Sequence, residues 1–320
     1  MSIPYAIKSL FQKDEHFGIA IFEDSSWDLN DIHKKKEIYR REIGNSLLPK
    51  SLMIQADPFL YVMNDTLYLF YESMRNGGKG ILKMVHTTDL THWSLPVTVL
   101  VEPWHLSFPF VFNLADGVYM IPESEACNEV RLYKANDDLT SFTFVKTLLK
   151  QERTDNIFFN YSDSHVFQKN SVFFLFTSVF YKWEYHLELY YTDDLLQHSL
   201  RPHPLSPVCI GNHFGRCGGS LLQTADGLLR VAQDCEQSYG ANISLLKILE
   251  LTPERYTEKL FLQDVFHVKD EPFKDGGHQL HVVNYRGKII YATDYRKQKW
   301  CWYHRLSELT RKLCKAFKSI

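Results

Sequence analysis

The chain has 320 residues, of which 45% are hydrophobic, 14% aromatic and 23% charged. This is globular composition, long enough for one large all-β domain or two ordinary domains, and it excludes a disordered chain. Lys plus Arg (36) nearly balance Asp plus Glu (38), which argues against a nucleic-acid partner or a strongly acidic one.

No N-terminal stretch has the charged, apolar and small-residue order of a signal peptide, and no apolar run approaches a membrane span, so a cytoplasmic chain is expected. The six cysteines, Cys127, Cys209, Cys217, Cys235, Cys301 and Cys314, form no C-x-x-C pair. Reduced thiols in a cytosol fit that scatter better than a zinc site or a disulfide frame.

In chain order, "IAIFEDSSWDL" (19–29) reads as a strand with a turn, and "DIHKKKEIYRREI" (31–43) as a helix. A hairpin follows, "PFLYVMNDTLYLFYE" (58–72), alternating and aromatic-rich with its tip at Asn64-Asp65, and then a third strand and turn, "ILKMVHTTDLTHW". "PFVFNLADGVYMIPE" (109–123) matches that hairpin without a gap and leads into "VRLYKANDDLTSF". "DSHVFQKNSVFFLFTS" (163–178) leads into "LELYYTDDLLQHS", and "GGSLLQTADGLLRVAQ" (218–233) into "ISLLKILELTPERY". The fifth copy, "HQLHVVNYRGKIIYAT" (278–293), has no third strand after it, and the 19–29 segment carries the missing pattern. The acidic pairs Asp137-Asp138 and Asp193-Asp194 fall in the third-strand turns and read as turn chemistry. In 305–320, Leu306, Leu309, Leu313, Phe317 and Ile320 recur at helical spacing between Arg305, Arg311, Lys312, Lys315 and Lys318. This is a basic amphipathic helix, fit either to dock on the rest of the chain or to touch an anionic membrane.

Five registered hairpins and an orphan N-terminal strand predict an all-β fold, a five-bladed β-propeller over 1–304, closed by a strand near 18–24 and carrying short helical additions at both ends. A radial array of short sheets removes its open edges best when one terminus completes the last blade. A β-sandwich gives no reason for five copies in one register.

The repeat also selects a site. Asp57 aligns with Phe108, Asp163, Gly218 and His278, and Glu72 with Glu123, Ser178, Gln233 and Thr293. The start of one hairpin strand and the end of the next lie at the same end of a sheet, so both sets converge on one mouth of the channel. Asp57, Glu72, Glu123 and Asp163 are therefore the candidate catalytic cluster, because like charges gathered in one place are costly unless they act. His165, Arg216, Gln233, Asp234, Tyr239 and His278 are candidate substrate contacts, with His281 and Asn242 at the same rim. The glycines of "GRCGG" read as close backbone approach, and the chain has no H-E-x-x-H, phosphate loop or dinucleotide fingerprint. No cofactor is expected; the clustered oxygens would suit Ca²⁺, but no ligand spacing demands it.

The segments "ADPFLY…LYLFYE", "HLSFPFVF…YMIPES…VRLYKA", "SDSHVF…FFLFTS", "LELYYTDD" and "GGSLL…GLLRVAQDC…YG…ILELTPERYTE" occur in one order over about residues 18 to 295. Together they resemble the propeller domain at the N-terminus of glucosamine inositolphosphorylceramide transferases and bacterial relatives. That domain is similar to the five-bladed propellers of glycoside hydrolase families 43 and 32, which open on an Asp-Pro motif like Asp57-Pro58. The resemblance implies carbohydrate chemistry, with Asp57 as general base or nucleophile and Asp163 as transition-state support. The acid of those hydrolases is a Glu in a later blade whose local motif is not matched here, and Glu123 and Glu72 are the substitutes. In the plant enzyme a transferase domain follows the propeller, and none is expected within this chain.

The expected function is thus an enzyme acting on glycosidic linkages, by transfer or hydrolysis, in polysaccharide or glycolipid assembly. Its partner would be a glycan or sugar-nucleotide substrate. The alternative is a non-catalytic glycan-binding module in which the same carboxylates only accept hydrogen bonds from sugar hydroxyls.

Overall fold

The computed structural model describes residues 14–42, 52–75, 77–151, 160–266 and 269–299. The basic 305–320 segment lies outside them. Among the described residues regular structure is β except for two 3-10 turns, Ile32–Lys34 and Glu125–Cys127. No described helix is long and apolar enough to cross a membrane.

The chain runs β1 (Asp14–Asp24), β2 (Lys36–Arg41) and then the first hairpin, β3 (Leu52–Met63) with β4 (Thr66–Arg75). β5 (Ile81–Thr87) and β6 (Val97–Leu100) continue that unit outward. The second unit is β7 (Ser107–Leu114), β8 (Gly117–Glu123), β9 (Glu129–Ala135) and β10 (Phe142–Lys150). The third is β11 (Tyr161–Lys169), β12 (Val172–Tyr181) and β13 (Glu184–Thr192), edged by β14 (Arg201–Pro202) and β15 (Cys209–Ile210). The fourth contains β16 (Arg216–Cys217), β17 (Leu222–Thr224), β18 (Gly227–Asp234), β19 (Asn242–Leu251) and β20 (Tyr256–Leu262). The fifth hairpin is β21 (Leu280–Tyr285) with β22 (Lys288–Lys299).

Each unit is antiparallel, and β1 runs antiparallel along β22 from the Asp14–Lys299 pair to the Asp24–Ile289 pair. A single parallel pair, Phe17 with Ile54, links β1 to β3, so the fifth and first units share an eight-stranded sheet; the other sheets have four, five and five strands. None of these sheets closes on itself. The aromatic-rich inner strands pack between units. Phe59, for example, sits edge-on to both Phe108 and Phe110 of the next hairpin, 4.8 and 5.7 Å between ring centroids. Such offset contacts add to the burial of the rings themselves.

The helix expected over 31–43 is not formed. Asp31 is left-handed (φ 50°), a single 3-10 turn follows, and Lys36–Arg41 pairs as β2 along β1. The pairing satisfies backbone groups that β1 would leave open, and a Lys/Arg-rich strand suits an exposed edge; tertiary pairing overrides a helix-prone local composition.

The "CGGS" glycines allow the fourth unit to approach the fifth. A Cβ on Gly219 (φ 150°) would lie 2.2 Å from the Leu280 carbonyl oxygen, and Gly218 accepts the Leu280 N–H through its own carbonyl. Gly219→Ala is expected to destabilise the fold by about 1–3 kcal/mol, because neither the backbone conformation nor the neighbouring carbonyl can accommodate the methyl. Urea unfolding would read this as a lower midpoint at unchanged slope, and an unchanged midpoint would refute the close approach.

A cavity lined by buried carboxylates

Three hairpins begin with the same irregularity. Pairing slips between Ala56 and Phe59, between Ser107 and Phe110, and between Ser162 and His165, and the first bulged residue is left-handed each time: Asp57 (φ 53°), Phe108 (φ 45°) and Asp163 (φ 50°). A bulge re-aims a side chain, and holding a non-glycine residue there costs on the order of 1–3 kcal/mol. Pro58 and Pro109 follow two of these residues and have no N–H to leave unpaired.

The bulged N–H groups are held by carboxylates. Asp294 Oδ2 accepts the Asp57 N–H at 3.2 Å, Asp57 Oδ2 accepts the Phe108 N–H at 3.1 Å, and Glu123 Oε2 accepts the Asp163 N–H at 3.1 Å. In the fourth unit Ser178 Oγ accepts the Cys217 N–H at 2.8 Å, one residue before the position that aligns with the bulges. Polar side chains at or beside the ends of the hairpin strands thus tie one unit to the next.

These residues meet in a cavity of about 290 Å³ lined by Asp57, Glu72, Glu123, Asp163, Arg216, Tyr239 and His278, with Phe17, His105 and Glu125 completing its wall. Burial pushes the Asp57 carboxyl up to about 6, against the pull of His278 and with further upward pressure from Asp294 and Asp163. Glu72 is raised well above the carboxylate range by burial and then by Asp57 and Asp294. Glu123 is raised by burial and Asp163, partly opposed by Arg216. Arg216 Nε sits 2.6 Å from Asp163 Oδ2, its Nη1 donates to the Tyr185 hydroxyl at 2.8 Å, and its guanidinium lies over the Tyr239 ring at 4.8 Å. A larger surface pocket of about 620 Å³ beside β1 is lined by Lys34, Lys35, Lys36 and Lys288, but each of these pairs with an aspartate or glutamate of the same pocket. It is a self-neutralised surface.

All four carboxylates selected from the repeat therefore reach one cavity, together with Arg216, Tyr239 and His278. Gln233 lies behind it, fully buried, donating to Asp163 Oδ2 at 3.3 Å and to the Cys217 carbonyl at 2.7 Å, so it supports Asp163 from the side away from a substrate. Asp234 turns away to His213 Nδ1 at 3.0 Å. His165 is not brought to the cavity: its ring is fully buried, stacked on Phe176 at 5.3 Å and edge-on to Phe110, and burial lowers its pKa to about 3. Its place two residues beyond Asp163 puts it past the bulge and into the core. Asn242 closes a loop by bonding Phe266, and His281 Nδ1 accepts the Leu60 N–H at 3.1 Å.

Sequence reasoning missed Asp294, His105, Glu125 and Phe17. Asp294 was one residue from view, because the repeat aligns Thr293 with Glu72. It is fully buried and receives the His278 and Gln279 N–H groups at 2.8 and 3.2 Å. Its Oδ2 lies 2.6 Å from His278 Nδ1, out of line with the ring N–H and so an ion-pair contact rather than a linear hydrogen bond. Burial alone would lower the His278 pKa, but Asp294 and then Asp57 outweigh it and raise it. Phe17 stacks on the His278 ring at 4.4 Å.

Among the described residues Asp57, His278 and Asp294 form the one group of acidic, His or Cys side chains with ligand atoms close enough to share a metal ion, all within 4.8 Å of one another. The set fits Ca²⁺ poorly, since that ion takes six to eight oxygens and this group offers an imidazole nitrogen and two carboxylates. The His278 ring already lies between the two aspartates, its Nδ1 2.6 Å from Asp294 and its Nε2 3.8 Å from Asp57, so a cation would compete there with the protonated imidazole that both carboxylates favour.

Residues 43–285 match the family described as glucosamine inositolphosphorylceramide transferase 1, N-terminal. Glucosamine inositolphosphorylceramide transferase 1 of Arabidopsis thaliana is 32% identical over 268 residues, covering 76% of this chain and 33% of the relative, so the chain spans about a third of the length of that curated relative. A family 117 glycoside hydrolase of Zobellia galactanivorans superposes with a TM-score of 0.53 at 13% identity, covering 89% of this chain and 91% of that one. A family 43 glycoside hydrolase of Bacillus licheniformis superposes at 0.51 with 14% identity, covering 70% and 45%. The structural neighbours share the all-β propeller fold, and the ordered motifs carry the kinship: this chain belongs to the family of the glucosamine inositolphosphorylceramide transferase 1 N-terminal domain.

Proposed function

We propose that the chain is a carbohydrate-active enzyme whose carboxylate-lined cavity makes or breaks a glycosidic linkage, in the assembly of a polysaccharide or glycolipid. The five hairpin units are the five blades of its propeller, with β1 completing the fifth. The observation that carries the reading is the convergence of four carboxyl groups, Asp57, Glu72, Glu123 and Asp163, on one cavity. Glu72 and Glu123 are pushed well above the usual range while Asp57 sits near 6. Glycosidic chemistry needs such a pair: one carboxyl to protonate the bridging oxygen, and one carboxylate to take the proton of water or an acceptor hydroxyl or to attack the anomeric carbon. Arg216, Tyr239, His105 and the stacked His278 provide donors and a ring face for sugar hydroxyls. The relatives named above, a transferase and two glycoside hydrolases, support the same substrate class.

A binding-module reading draws on the structural duties of Asp57, Glu123 and Asp294, each of which holds a backbone N–H. The two readings part in a turnover screen of the purified chain with nitrophenyl glycosides, bacterial surface oligosaccharides and nucleotide-sugar donors with acceptors. Turnover on any of these is the expected result. Binding of an oligosaccharide with no turnover would sink the enzyme reading in favour of the module.

A further inference from the structure

Glu72 occupies the repeat position at which Glu123 holds the N–H of the next bulge and Ser178 the Cys217 N–H of the next unit, but it does not share that duty. The Phe108 N–H that it would hold goes to Asp57 instead. Glu72 is buried in the cavity wall; His105 Nε2 lies 3.3 Å from its Oε1 but out of line for a hydrogen bond, so Oε1 has no hydrogen-bond partner among the described residues.

The His105 ring has a defined tautomer. Its Nδ1 accepts the Gly80 N–H at 2.9 Å, so Nδ1 carries a lone pair and the ring proton sits on Nε2, the atom facing Glu72. The contact is braced by backbone, since the Gly80 carbonyl accepts the Leu106 N–H at 3.1 Å. Position 80 admits no side chain: a Cβ there would lie 2.3 Å from the Leu106 oxygen, 2.7 Å from Glu72 Oε1 and 2.8 Å from His105 Cε1. Gly80 before β5, His105 in the loop before β7 and Glu72 near the end of β4 therefore form one built unit, outside the ties that hold the hairpins together.

We propose that Glu72 is the proton donor of the cavity and that His105, through Nε2–H, is its positioning residue. This rests on the glycosidic reading above. In the step, the Glu72 carboxyl proton passes to the bridging oxygen as the bond from that oxygen to the anomeric carbon breaks and its electron pair goes to the oxygen. Asp57 takes the proton of the incoming water or hydroxyl as the new bond to the anomeric carbon forms. His105 keeps its proton throughout; a small turn of either side chain aligns Nε2–H with the Glu72 oxygen 3.3 Å away, first in the neutral carboxyl and then in the carboxylate. The groups facing Glu72 agree with its starting protonated. Burial, and then Asp57 from β3 and Asp294 from β22, oppose a negative charge there, and burial lowers the His105 pKa against the pull of Glu125, which favours the neutral ring.

Two measurements test this. The first needs no turnover: in protein labelled with ¹⁵N histidine and ¹³C glutamate, His105 is expected as the Nε2–H tautomer at neutral pH, and the Glu72 carboxyl, identified by its loss in Glu72→Gln, is expected to titrate with a shifted midpoint in His105→Phe. An Nδ1–H or doubly protonated ring, or an unmoved midpoint, overturns the pairing. The second uses leaving groups: Glu72→Gln should lower kcat by about 10²–10⁴-fold on a natural glycoside but by less than about tenfold on a nitrophenyl glycoside, whose leaving group needs no proton. His105→Phe should move the basic limb of the pH profile, and His105→Gln, which keeps a donor, should restore it in part. Equal losses on both leaving groups overturn the donor role while leaving the glycosidic reading intact. A wild type that turns over no glycan overturns both.

Discussion

Asp57→Asn is expected to lower kcat/KM by about 10²–10⁴-fold while leaving the protein as stable as the wild type, or more so, at pH 7.5. Asparagine is the informative replacement. Its side-chain oxygen can still accept the Phe108 N–H, and asparagine tolerates the left-handed backbone that Asp57 adopts (φ 53°). The stability side follows from linkage. The folded-state pKa of Asp57, about 6, lies above its ordinary value of 3.8, so between those values the folded state binds more protons than the unfolded chain. Stability therefore falls as pH rises from about 4 to 6, by up to roughly 3 kcal/mol if Asp57 acted alone, and stays lower above that window. Removing the ionisable group removes this penalty, and His278 is not orphaned because Asp294 remains 2.6 Å from its Nδ1. Thermal melts at pH 4.5 and 7.5 check the sign: the two proteins should converge at the lower pH, and the variant should melt no lower than the wild type at the higher. A variant that loses activity only because it melts lower at pH 7.5 would remove Asp57 from the chemistry.

Arg216→Met is expected to have the opposite profile, a large loss of stability. Asp163 is 2% exposed and is held by Arg216 Nε at 2.6 Å, with a longer 3.3 Å contact from Gln233 beside it. Methionine preserves much of the stem packed against Tyr185 and Tyr239 but leaves a buried carboxylate without its counter-charge, which costs about 3–5 kcal/mol. For a domain of this size that is a fall in Tm of roughly 10 °C. Pairing it with Asp163→Asn removes the charge that needed a partner, and the double variant should recover most of the loss; the coupling energy from the four proteins is the quantity to report. Single and double variants that melt together with the wild type would show the ion pair to be screened, and the rigid placement of Asp163 would then need another cause.

The repeat was a strong signal because each hairpin carries the same alternation, turn and aromatic content, and period-2 patterning survives in sequence wherever one strand face is buried. Its register also located Asp57, Glu72, Glu123 and Asp163 before any coordinates, since bulge and strand-end positions recur with the hairpin itself. The 31–43 segment failed for the complementary reason: its Lys, Glu and Arg are equally at home on a helix or on an exposed edge strand, and the open side of β1 decided between them.

The duties of individual residues came from tertiary structure. Repeat alignment places His165 near the site and passes over Asp294, because it counts positions along a strand and does not show which way a bulge turns the next side chain. His105 lies in a loop outside the repeat, and its part depends on a backbone N–H from Gly80, 25 residues earlier. What the sequence by itself determined is the all-β repeat architecture, the carbohydrate-related family and the carboxylates that line the cavity, because each is written in local pattern repeated at fixed spacing. Only the folded chain decided which carboxylates hold backbone and which face the cavity unencumbered, since hydrogen bonds and burial between units depend on distances that neighbours in sequence do not set.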